Sequence, residues 1–88
     1  MKVTIHGKRW DLSFCKVPPD RLGDCDSPDA TNKGIRVSKD LRGEKALEIT
    51  LHELFHAANW RTSEEYVERE ARDIARILWR LGYRKDSE

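Results

Sequence analysis

The sequence predicts an α+β domain in which a small three-stranded antiparallel or mixed sheet packs on two C-terminal helices. Apolar residues alternate near the N-terminus, and a helical apolar period follows over residues 43–59 and again over 62–81. The two helical stretches are separated by only a few residues, so they must pack as neighbours. With 88 residues, positions 1–88 make a single domain, short enough to bury barely the surface a fold requires.

Lys2 to Phe14 reads as a hairpin. Val3 and Ile5 alternate with polar neighbours, His6-Gly7-Lys8 contains a turn glycine, and Trp10, Leu12 and Phe14 alternate again. From Val17 to Asn32 the breakers Pro18, Pro19, Gly23, Asp24, Asp26, Pro28, Asp29 and Asn32 predict a long loop. A loop of that length in a compact domain is either functional or held by local packing. Gly34 to Ser38 is a short strand with Ile35 and Val37 on one face.

After Asp40 a helix runs from Gly43 or Glu44 to Asn59, with Leu47, Leu51, Leu54 and Ala58 as its apolar stripe. Thr62 or Ser63 caps a second helix, and Glu64 and Glu65 fall in its first turn, where the dipole favours anions. That helix reaches Leu81, with Gly82 as its C′ residue and Val67, Ala71, Ile74, Leu78 and Leu81 as its stripe. Arg76, Arg80, Arg84 and Lys85 suit the negative end of its dipole.

Composition narrows the function. A net charge of +1 provides no global field to draw in nucleic acid, so no nucleic-acid partner is expected. No apolar run approaches the roughly 18 residues of a membrane span, and MKVTIHGKRW lacks a signal-peptide core. A cytoplasmic location without a membrane partner follows as the expectation. Cytosolic conditions keep Cys15 and Cys25 reduced, and their separation does not match a zinc finger.

The pentapeptide His52-Glu53-Leu54-Phe55-His56 carries the chemistry. It reads H-E-x-x-H inside an amphipathic helix that no proline interrupts. Positions four apart lie one above the other on a helix, so two imidazoles can grip one ion. Glu53 stands beside them, placed to polarise a metal-activated water as a general base. The expected cofactor is Zn2+, which takes three protein ligands in catalytic sites and leaves one position open.

The third ligand must come from elsewhere. His6 lies far off at the hairpin turn, so a carboxylate of the second helix is the better source. Glu70 and Asp73 are explained by neighbouring arginines, and Glu64 and Glu65 by capping. Glu68 adjoins Val67 on the stripe, with Ala71 and Ala75 letting the helices approach, and is the preferred ligand. Glu65 and Glu64 remain alternatives.

The words LHELFHAANW and TSEEYVEREARDIARILWRLGY, with HGKRWDL, LGDCDSPD and GIRVSKDLRGEKALEITLHE upstream, carry a likeness over nearly the whole chain. It resembles the small zinc metallopeptidases of phages and prophages, minimal relatives of the zincins. The resemblance implies a minimal zincin-like fold and a glutamate third ligand on the helix after the motif, and Glu68-Arg69-Glu70-Ala71 fits that pattern. It also implies hydrolysis of a peptide or protein substrate, and an edge strand that lines up extended substrate, a place Gly34 to Ser38 occupies in the chain order. Larger zincins add a residue that stabilises the oxyanion, for which Tyr66, Tyr83 and His6 are the candidates here. The alternative reading is a non-catalytic, zinc-stabilised module that binds another protein.

Overall fold

The structure, a computed structural model, describes residues 1–85. Strand β1 (Lys2–Ile5) pairs antiparallel with β2 (Lys8–Cys15) through the two-residue turn His6-Gly7. Both turn residues have positive φ, +50° and +75°, which is the twist-matched hairpin geometry that glycine makes inexpensive. β2 then pairs in parallel with β4 (Gly34–Ser38), and β4 pairs antiparallel with β3 (Gly23–Cys25). The sheet order is β1-β2-β4-β3.

The sheet therefore has four strands rather than three, and is mixed. Its extra member lies inside the stretch expected to be loop. Three residues give no readable alternation, and Gly23 and Asp24 are turn formers by composition. Tertiary contacts hold this strand in place. Asp26 N–H donates to Gly34 O at 3.0 Å and Ser38 N–H to Leu22 O at 2.8 Å. On the polar face, Arg36 of β4 bridges to Asp24, and its Nη2 lies 2.6 Å from Asp26 Oδ1. The Arg36 guanidinium holds the Asp26 carboxyl below the usual carboxylate range, helped by Gly34 N–H.

Helix α1 (Gly43–Ala58) packs on β3 and β4, and α2 (Glu64–Leu81) packs chiefly on α1. Trp10, Leu12, Ile35, Val37, Ile49 and Ala57 form the core between sheet and α1. Each large apolar side chain removed from water there contributes roughly 1.5–3 kcal/mol. The most buried row of α1 is Ile49, Glu53 and Ala57, not the leucine stripe. Leu47, Leu51, Leu54 and Ala58 are half-buried; Leu54 packs on the core, while Leu47 and Ala58 line shallow hollows shared with α2. A helix pressed between two layers has two inward faces, and the leucines mark only one of them. A glutamate thus occupies a core position.

On α2 the buried row is Val67, Ala71 and Ala75, and the small alanines allow close approach to α1. Leu81, expected on the stripe, is 68% exposed. Ser63 Oγ accepts from Tyr66 N–H at 3.2 Å and caps the helix start. At the other end Gly82 is left-handed at φ +97°, and Gly82 N–H and Tyr83 N–H return to Trp79 O and Leu78 O. Arg84 stacks over the Trp79 ring and donates to Trp79 O at 2.6 Å, as a cation at a helix C-terminus should. Among the described residues no helix is long and apolar enough to cross a membrane.

Candidate metal centre

His52 and His56 project from the same face of α1, as their spacing requires. Their Nε2 atoms lie 3.2 Å apart and the rings meet edge-on, centroids 4.8 Å apart. Glu64, the first residue of α2, reaches both: Oε1 is 2.7 Å from His52 Nε2 and Oε2 is 2.9 Å from His56 Nε2. Among the described residues these three form the one His/Cys/Asp/Glu group whose donor atoms all lie within 4.8 Å of one another.

Glu68, the preferred third ligand, lies elsewhere: it is exposed on α2 and outside this group, and so is Glu65. Helix geometry accounts for the difference. At about 100° per residue, Glu64 falls about 60° from Val67, between Ala71 at about 40° and Ala75 at about 80°. Glu68, at about 100°, lies beyond that row. The capping role that accounted for Glu64 in the sequence belongs to Ser63, which leaves the Glu64 carboxylate to the imidazoles.

The donor set suits zinc. Two nitrogens each about 2.0–2.1 Å from a tetrahedral ion stand about 3.3 Å apart, close to the observed separation of the two Nε2 atoms. Two imidazoles and one carboxylate also match the composition of catalytic zinc sites. The Glu64 contacts are hydrogen-bond lengths, slightly shorter than that ligand edge.

Glu53 is only 6% exposed, beneath the centre and against β3. Burial pushes its carboxyl up to about 7; the nearby His52 opposes the shift, and Glu64 and Asp24 add to it. A Cβ on Gly23 would come within 3.2 Å of Glu53 Cγ and Oε2, and within 2.8 Å of Arg36 O. The β3 backbone therefore approaches Glu53 as closely as only glycine permits. Cys25, next on that face of β3, has its thiol pushed up to about 12 by burial and by the charge of Glu53 and Asp26. Both cysteines are free, and Cys25 is an inert wall rather than a nucleophile.

A cavity of about 260 Å³ opens over these groups, lined by Gly23, Cys25, Trp60 and the four ionisable residues just described. None of the oxyanion candidates borders it. Tyr66 lines a different hollow, Tyr83 lies beside Phe14 and Trp79, and His6 sits in the hairpin turn. The sequence allows Gly23-Asp24-Cys25-Asp26 either as a loop lining the cleft or as a turn around a buried thiol, and Gly23 and Cys25 do border the cavity; Trp60, which the sequence assigns to the core and its rim, borders it too. No family model, curated protein or solved structure matches this chain, so its function rests on this geometry.

Proposed function

We propose that this protein is a zinc-dependent peptidase, with His52, His56 and Glu64 as ligands and Glu53 as the general base. The observation that carries the reading is the convergence of two Nε2 atoms and one bidentate carboxylate beside a buried glutamate. Zinc held there supplies Lewis acidity: it acidifies a water molecule to a pKa of about 7 and draws charge from a carbonyl oxygen. Glu64 takes the place first given to Glu68.

Glu53 takes a proton from the attacking water as the water oxygen bonds to the peptide carbonyl carbon. It then delivers that proton to the amine as the C–N bond breaks. Burial raises the proton affinity of Glu53 above that of an exposed glutamate, which helps it take the proton from water and then return it to the amine. Its place in the core, against Gly23, keeps it from swinging away to solvent.

Substrate alignment falls to β3 and not to β4, which is interior to the sheet. Leu22 and Asp26 bond to β4, so in an antiparallel ladder the alternate residues Gly23 and Cys25 turn their N–H and C=O to the open edge. An extended peptide pairing with that edge lies beside the cavity. This geometry favours a peptide substrate over a small molecule.

Glu53→Gln tests the reading against the non-catalytic, zinc-stabilised alternative. Zinc content, measured by elemental analysis, should remain near one ion per chain, while cleavage of a denatured protein substrate should fall at least about 100-fold. Undiminished cleavage by this variant would exclude Glu53 as the base.

A further inference from the structure

Trp60 is the one large apolar side chain among the residues that line the cavity over the metal centre. This residue follows the C-cap Asn59 of α1, and it is 45% exposed rather than drawn into the core. Its ring stands edge-to-face on His56, centroids 6.4 Å apart with a 69° interplanar angle. Trp60 therefore borders one of the proposed ligands while remaining partly open to solvent.

Among the lining residues only Trp60 offers a large apolar side chain against which a substrate side chain can lie. Aromatic faces favour apolar and aromatic partners over small polar ones.

We propose that Trp60 is a specificity-determining residue: it receives a bulky apolar or aromatic side chain next to the bond to be cut. The inference rests on the peptidase reading and adds the substrate class. Its indole acts on the substrate, not through His56.

Amino-acid hydroxamates give a test independent of turnover, because the hydroxamate binds zinc and the side chain probes its surroundings. Zinc-loaded protein is titrated calorimetrically with L-phenylalanine hydroxamate and with glycine hydroxamate. In wild type and Trp60→Phe the phenylalanine compound should bind about tenfold more tightly, a ratio that corresponds to about 1.4 kcal/mol. In Trp60→Ala the ratio should fall to about one, with glycine hydroxamate affinity unchanged. An unchanged ratio in Trp60→Ala overturns the inference. So does an equal loss of both affinities, which would mean that Trp60 only positions His56. Failure of zinc-loaded wild type to bind glycine hydroxamate would instead remove the open coordination position, and the peptidase reading with it.

Discussion

Glu64 is 65% exposed, yet both of its carboxylate oxygens touch imidazole nitrogens. Exposed pairs of this kind contribute little to stability, so the arrangement is better explained by the metal-ligand role proposed for Glu64. Glu64→Ala should therefore reduce zinc affinity by more than the roughly 10–100-fold typical of changes outside the ligand shell, whereas Glu68→Ala should leave it unchanged. Competition with a chromophoric chelator measures both, and the opposite ranking would restore Glu68. Residue identity and spacing made the grouping of His52, Glu53 and His56 legible because all three lie within about one helical turn. Which carboxylate meets the two imidazoles depends on how α2 is rotated about its axis. That rotation is set by the packing row Val67, Ala71 and Ala75, and the chain states it only through angles.

At the scale of elements, β3 is the least legible part of the fold and the one that completes the site. Its three residues carry no period, and they are held by a guanidinium shared between Asp24 and Asp26 on the face away from Glu53. The α-helices and the hairpin, by contrast, followed from patterning because each buries a face long enough to show one. The Asp26 carboxyl is held below its ordinary value by Arg36 and by Gly34 N–H. A lowered folded-state pKa contributes stability that is present above the unfolded value near 3.8, and it is lost as pH falls through the lower folded one. Acid should thus loosen β3. Amide exchange or urea melts from pH 6 down to about 2.5 should show part of the acid destabilisation disappearing in Arg36→Met. Parallel pH profiles for the two proteins would dissociate Arg36 from the strand.

Across the whole molecule, the radius of gyration is 12.6 Å, near the roughly 12 Å expected for a compact chain of this length. Compactness does not make so small a core strong, and this one gives a position to Glu53, whose burial is costly when it ionises. In the proposed arrangement a divalent ion would offset that cost twice, by stabilising the nearby carboxylate charge and by tying the C-terminal half of α1 to the first residue of α2. Binding to the folded chain alone stabilises by mass action, about 4 kcal/mol at a free-metal concentration about 1,000 times Kd. For a domain of this size that corresponds to a rise in Tm of roughly 15–30 °C. Differential scanning calorimetry with zinc and then with excess chelator should show this span in the wild type. It should collapse to a few degrees in His56→Ala and in Glu64→Ala, since each leaves only two donors. Glu53→Gln should keep most of the span and lose only the part that comes from its carboxylate charge, because in the proposed arrangement that residue holds no metal. A zinc-induced shift that survives loss of either ligand would place the ion somewhere other than between α1 and α2.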